Sequence, residues 1–292
     1  MSGDRKPASL AEALSLLAGA PEAPLLLAGG TDVYPARAVA EAWGRYAPRP
    51  VLDLSGLGLA GIEDRGDHHR IGAGVTWAAL RDAPLPPWFD GLRQAARQVG
   101  GVQVQARGTV LGNLCNASPA ADGVPPLLTL EAEVELASRR GTRRLPLGAF
   151  ILGNRRTALA PDEIATAILV PKPAGETRSA FLKLGARSYL VISIAMVAGL
   201  LEIDSGRIAA ARLAIGACSP VAQRLPELEA ALIGARPEEA AALAAPEHLA
   251  PLSPIDDVRA TAEYRRHAAL VLLRRLLAGL AAPQAQGGSQ AA

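Results

Sequence analysis

Cysteine is almost absent: the 292 residues hold two, Cys115 and Cys218, far apart in the chain. No Cys-x-x-C pair and no Cys/His run at ligand spacing occurs, so neither an iron–sulfur cluster nor a zinc site is expected here. Isolated thiols suit a reducing cytosol, which is the expected location. Charge of one sign is also scarce. The net charge is +2, and no Lys/Arg cluster with interleaved aromatics is present, which argues against nucleic acid. Long hydrophobic runs are missing too. Residues 190–201 fall short of the roughly 20 residues a bilayer span needs, and the run near 270–280 is broken by Arg274 and Arg275. The first seven residues are polar and no apolar stretch follows, so no signal peptide is expected. The four histidines, 68, 69, 248 and 267, have no ligand partner at metal spacing. No paired carboxylates and no nucleophile–base set stand out, so catalytic and metal-ligating residues are expected to be none.

What the chain has is apolar residues, half of the total, with 29 glycines and 23 prolines. Two glycine-bearing segments follow apolar runs. The first is Leu26-Leu27-Ala28-Gly29-Gly30-Thr31-Asp32-Val33. A strand that ends in two glycines, a hydroxyl and an acid can fold its backbone N–H groups into a concave nest for a phosphate. Asp32 would repel a phosphate it faced, so it is expected to accept from loop amides. The pattern is neither a Walker loop nor a dinucleotide fingerprint, and taken alone it equally fits a plain turn. The second segment, residues 108–126, mixes Gly108, Thr109, Gly112, Asn113, Asn116, Ser118 and Asp122. It reads as a loop around a large polar cofactor, with Thr109, Asn113, Asn116 and Ser118 as donors. An ordinary surface connection is the competing reading. Cys115 lies inside it and reads as a small buried filler rather than a redox thiol.

The pattern along the chain predicts an α+β protein. Ser9 and Glu12 make a capping box for a helix over 9–18. Strands are expected at 25–28 and 51–54, with a helix over 36–46 between them. Ile62 and residues 69–73 form a hairpin across Arg65-Gly66-Asp67. Thr76 caps a short helix with Trp77, and residues 89–99 are helical. Pro125 and Pro126 can open a helix. Strands follow at 133–137 and 164–170. The proline-punctuated stretch 171–176 is the expected boundary between a domain of residues 1–173 and one of 176–282. The second domain carries strands at 178–184, 192–203 and 207–217, then helices near 226–233, 237–245 and 256–280. The tail, 283–292, is expected to be disordered.

The two loops resemble a known family when read with three further segments: Ile-Gly-Ala-Gly-Val-Thr-Trp (71–77), Phe-Leu-Lys-Leu-Gly-Ala-Arg (181–187) and Ser-Pro-Ile-Asp-Asp-Val-Arg-Ala-Thr-Ala-Glu-Tyr-Arg-Arg-His (253–267). Over nearly its whole length the chain is similar to the FAD-binding medium subunits of molybdenum hydroxylases, the group of xanthine dehydrogenase and carbon monoxide dehydrogenase. The resemblance implies a two-lobed α/β FAD-binding domain of the PCMH type, then a three-stranded antiparallel sheet with C-terminal helices. It implies FAD as cofactor, with Leu26, Leu27, Ala28, Gly29, Gly30, Thr31, Asp32, Val33, Thr109, Gly112 and Asn113 along the pyrophosphate. Asn116, Ser118 and Asp122 would stand near the flavin and ribityl chain, Asp122 as an acceptor or as the cap of a following helix. Lys183 would stabilise negative charge on the reduced ring, or be a solvated strand lysine. Many relatives carry two adjacent glycines where this chain has Leu111-Gly112, which puts the fit of the second loop in question. Tyr264 and His267 share a helix face as structural or subunit contacts.

The function implied is electron transfer. FAD on this chain would take electrons from iron–sulfur clusters on a partner subunit, fed by a molybdenum-cofactor subunit, and pass them to NAD+ or another acceptor. One rival is an assembly subunit with weak or lost FAD binding. Another is a stand-alone flavin enzyme that uses oxygen.

Overall fold

The structure is a computed structural model that describes residues 3–46 and 49–281. The expected tail, and residue 282 at the end of the expected second domain, lie outside the described residues. The chain divides into two compact units. The first takes the described residues up to Ala83, then Ala96–Gly123 and Glu131–Lys172. The second takes Pro84–Ala95, Val124–Leu130 and the described residues from Pro173 on.

In chain order the elements begin with α1 (Leu10–Gly19), β1 (Leu25–Leu27), α2 (Val33–Ala42), β2 (Val51–Asp53), β3 (Ile62–Asp64) and β4 (His68–Gly72). Then come α3 (Trp77–Asp82), α4 (Asp90–Gln98), α5 (Val102–Arg107), α6 (Val110–Asn116) and α7 (Val124–Thr129). Next are β5 (Glu133–Ser138), β6 (Gly141–Pro146), α8 (Leu147–Phe150), β7 (Ile151–Gly153), β8 (Arg156–Thr157) and β9 (Ile164–Pro171). The last are β10 (Glu176–Leu184), β11 (Ala195–Asp204), β12 (Arg207–Gly216), β13 (Gln223–Arg224), α9 (Pro226–Leu232), α10 (Ala240–Leu243) and α11 (Ala262–Ala281).

The first unit has two lobes. In one, β1 and β2 pair in parallel with Leu26 opposite Leu52. Ala13, Leu14 and Leu17 of α1 share a core with Leu52, Ala137 and Ile164. Ser9 caps α1 by accepting from the Glu12 amide at 3.2 Å, and the Glu12 carboxylate accepts from the Ala8 amide at 2.8 Å. The other lobe is an antiparallel sheet in the order β3-β4-β9-β5-β6. Its centre, β9, is buried from Ile164 through Val170, which explains its unbroken apolar run. Glu135 ties three strands together, accepting from Arg70 at 3.0 Å and from Thr166 at 2.8 Å.

The second unit is an antiparallel sheet, β10-β11-β12, to which the two-residue β13 adds a short fourth strand. The long helix α11 buries Ala268, Ala269, Leu272, Leu273, Leu276, Leu277 and Leu280, the three- and four-residue spacing of one face. Arg265 on the same face is 3% exposed. Its guanidinium donates to the carbonyls of Ile194 (2.7 Å) and Ala217 (3.0 Å) and to Asp257 (2.6 Å). It thus ties the start of β11, the end of β12 and the loop before α11 to one point. The fold is α+β, as the sequence implied.

Three elements differ from the sequence reading. Helix α2 starts at Val33 rather than 36, because the Tyr34 amide already bonds the Gly30 carbonyl at 3.1 Å. It stops at Ala42 ahead of Gly44, whose φ of +63° leaves the helical region. Helix α11 starts at Ala262 rather than near 256. The Thr261 hydroxyl accepts from the Tyr264 amide at 3.2 Å, and residues 256–261 turn around Asp257. Residues 108–126, expected as a loop, contain α6 and the start of α7. Thr109 caps α6, and Val110, Leu111 and Leu114 give it a buried face. Among the described residues no helix is long and apolar enough to cross a membrane.

Replacing Arg265 with Met keeps the stem and removes the donors. Two carbonyls then lose this donor and Asp257 loses one of its partners, and urea unfolding should show a loss of about 3 kcal/mol. The Arg259 amide and the Arg265 guanidinium hold Asp257 down to about 2. A depressed acid stabilises fully above its usual range and loses that contribution as pH falls through the folded value. The chain should therefore lose stability from about pH 4 toward 2, and Asp257→Asn should flatten that part of the curve.

Candidate functional site

A cleft opens in the first unit where the turn after β1 meets the start of α6. It encloses about 1100 Å³, open solvent at its mouth included. Glycine lets its walls meet. A Cβ on Gly29 would stand 2.1 Å from the Arg107 carbonyl oxygen, and one on Gly108 would stand 3.2 Å from the Thr31 hydroxyl. Gly30 takes φ +75°, the left-handed conformation that lets the strand turn directly into α2. The Tyr34 amide is taken by the Gly30 carbonyl and Pro35 has no N–H, so donors offered to the cleft come from the turn itself, residues 29–33. The opposite wall is pinned by backbone bonds: the Trp77 amide donates to Gly108 and the Val110 amide to Val75, both at 3.0 Å.

Most of the expected site residues meet at this cleft. Leu26, Ala28, Gly29, Gly30, Thr31, Asp32 and Val33 line it from one side, and Thr109, Gly112, Asn113 and Asn116 from the other. Leu27 instead lines an adjoining cleft. Ser118 is outside the lining; its hydroxyl accepts from the Ala120 amide at 3.3 Å. Asp122, 7% exposed, is also outside it. Lys183 sits on β10 opposite Met196, in the second unit.

The local chemistry differs from the sequence reading at three places. Asp32 accepts from the Asn116 side-chain amide at 2.8 Å rather than from loop amides. The Gly112 amide donates to Thr109 Oγ1 at 3.1 Å, so this amide serves the helix cap. The Thr109 hydroxyl proton remains available, since a hydroxyl can accept and donate at once. Leu111 lies within α6, 1% exposed, and is not among the left-handed residues. A second glycine is therefore not required for its backbone.

Leu111 and Cys115, both inside the second glycine-bearing segment, also line the cleft, and so do Leu54, Ala73, Val99, Val104, Leu159 and Ala165, which the sequence does not mark. Each is a small or apolar side chain that carries no chemical signal of its own. Trp77 also lines the cleft, although it is 2% exposed. Burial pushes the Cys115 thiol up to about 12, while the residue keeps part of its surface open to the cleft. Among the described residues no group of three His, Cys, Asp or Glu could hold a metal ion.

The cleft suits a large polar cofactor. Asn113 Oδ1 is buried with no hydrogen-bond partner, an acceptor that a bound hydroxyl would satisfy. The glycine-walled turn is a cradle that any Cβ at position 29 would fill.

Comparison with known proteins agrees. Residues 5–173 match the model of the FAD binding domain in molybdopterin dehydrogenase, and residues 180–280 that of the CO dehydrogenase flavoprotein C-terminal domain. The chain is 33% identical over 275 residues to the nicotine 6-hydroxylase medium subunit of Paenarthrobacter nicotinovorans, covering 93% of this chain and 94% of that one. It is 32% identical over 278 residues to the xanthine dehydrogenase FAD-binding subunit of Escherichia coli O157:H7, covering 92% of each. Among solved structures, reconstituted CO dehydrogenase from Oligotropha carboxidovorans superposes with a TM-score of 0.85 at 28% identity, covering 96% of this chain and 98% of that one. The cradle and the capped helix lie inside the region matched by the FAD-binding domain, and the chain belongs to the family of FAD-binding medium subunits of molybdenum hydroxylases.

Proposed function

We propose that this chain is the electron-transfer subunit of a molybdenum hydroxylase complex. It would take electrons from iron–sulfur clusters on a partner subunit, supplied by a molybdenum-cofactor subunit, and deliver them to NAD+ or another acceptor. The observation that carries the reading is the glycine-walled cleft with its buried, unpartnered Asn113 oxygen, inside the region matched by an FAD-binding domain. Bound FAD supplies the conversion between one-electron and two-electron steps. The chain's own residues hold and orient it. The turn at Gly29, Gly30 and Thr31 faces the pyrophosphate, and the Thr109 hydroxyl donates to it. Asn113 accepts from a ribityl hydroxyl, while the neighbouring apolar lining excludes water. Leu26, Ala28, Asp32, Val33, Gly112 and Asn116 complete the contact, with Leu27 behind the turn. Ser118 and Asp122 serve the far part of the ribityl chain, and Lys183 serves the reduced ring.

Several observations support the wider setting. Relatives named as medium subunits or medium chains support metal centres carried by partner subunits. Relatives are named as medium subunits of hydroxylases and dehydrogenases of different substrates, so substrate choice belongs to another chain. We assign residues 1–173 to the FAD-binding domain and 176–282 to the C-terminal domain. Two free cysteines support a cytosolic location. The rival reading of a subunit without FAD drew on Leu111; its helical backbone answers the objection from φ, while its side chain does line the cleft.

The purified chain should show flavin absorption bands and release about one FAD per chain on heat denaturation, as one intact cleft implies. A colourless chain that takes up no added FAD, alone or with its partner subunits, would refute the assignment. Gly29→Ala drives a methyl group into the Arg107 carbonyl. Titration of FAD into the FAD-free variant should show affinity reduced by about tenfold or more, the effect of an overpacked contact.

A further inference from the structure

The lining of the cleft contains one charged side chain, Asp32, and it is an acid. A pyrophosphate brought to the Gly-Gly-Thr turn is doubly anionic. An uncompensated carboxylate one residue away would weaken its binding by about tenfold or more. The structure supplies the compensation from outside the cleft. Asp32 Oδ1 accepts from Asn116 Nδ2 at 2.8 Å. Asn116 Oδ1 accepts in turn from the Arg155 guanidinium, which also stands 3.9 Å from Asp32 Oδ1. Arg155 does not line the cofactor cleft; it lines the adjoining one, together with Asp32 and Asn116.

Arg155 is held there by its backbone. It takes φ +57° between β7 and β8, and its amide donates at 2.9 Å to the carbonyl of Ala117, the left-handed cap of α6 at φ +46°. Two non-glycine residues in this region are costly, and here they are bonded to each other. Folding gains little from the side chain itself, since Arg155 and Asp32 are both more than half exposed. The gain lies in orientation. With the guanidinium on Asn116 Oδ1, only the NH₂ group is left for Asp32. Without it the amide can turn and set oxygen against oxygen.

We infer that Arg155 is a positioning residue for FAD: relayed by Asn116, its charge offsets Asp32 and lets the Gly-Gly-Thr turn accept a pyrophosphate. The inference rests on the FAD reading of the cleft.

The test is titration of FAD into the FAD-free full-length chain, read by flavin fluorescence, for the wild type, R155G, R155K, D32N and the double variant R155G/D32N. Glycine suits φ +57°, so R155G removes the guanidinium without straining the backbone. R155G should weaken FAD by about tenfold, R155K by less, and the melting temperature of the FAD-free chain should hold. D32N should restore the affinity of R155G, because the charge to be offset is gone. Added salt should narrow the gap between R155G and wild type by screening the repulsion. Equal affinity of R155G and wild type would overturn the inference and leave the FAD reading intact. So would a loss that neither D32N nor salt repairs. A wild type that binds no FAD would overturn both.

Discussion

The cleft depends on one close approach, the backbone of Gly29 against the carbonyl of Arg107 at the end of α5. A methyl group at position 29 would lie 2.1 Å from that oxygen, well inside any permitted contact. Because the turn after β1 rests there, α2 can start at Val33 and α6 can start at Val110 on the far side of the same space. The Trp77 and Val110 amides then lock residues 75–77 to residues 108–110. The glycines of this region are therefore more than flexible spacers. They set the distance between two walls, and the rest of the lining follows from that distance.

Much of this was legible in the sequence where a local rule acts alone. Ser9, Thr76 and the Arg65-Gly66-Asp67 turn signal their structures through caps and turn chemistry, which need only a few neighbours. The long C-terminal helix was legible but not its start, because α11 opens only at Ala262, where the Asp256 carboxylate accepts from the Ala262 amide and the Thr261 hydroxyl from the Tyr264 amide. Residues 108–126 misled for a different reason. Gly, Asn and Ser are turn formers by composition, yet Val110, Leu111 and Leu114 supply a buried face short enough to be missed. The partner of Asp32 lies 84 positions away at Asn116, a pairing no local pattern encodes. Leu54, Val99, Leu159 and Ala165 entered the lining only through tertiary packing, so they carried no sign in the chain.

Binding without a cation in the lining has a physical consequence. A lysine or arginine in the cradle would hold phosphate as a point charge, with strong dependence on salt. In the proposed reading, backbone amides and hydroxyls would hold it as fixed dipoles instead, whose effect depends on geometry and falls off over a short range. Such a site tolerates little displacement, and the glycine contacts that fix the walls are the structural counterpart of that demand.

The same cleft holds a thiol, and its protonation state bears on a redox role. A thiolate is the nucleophilic and oxidisable form of cysteine. Burial raises Cys115 to about 12, so at neutral pH the thiol keeps its proton. Its neighbours offer no charge to reverse this, because the one charged group of the lining is the Asp32 carboxylate, which disfavours a second anion. A cleft built for a redox cofactor therefore carries a sulfur that is chemically quiet. Under the proposed electron-transfer role it would offer no competing covalent step, and Cys115 acts as a small filler among apolar and polar walls.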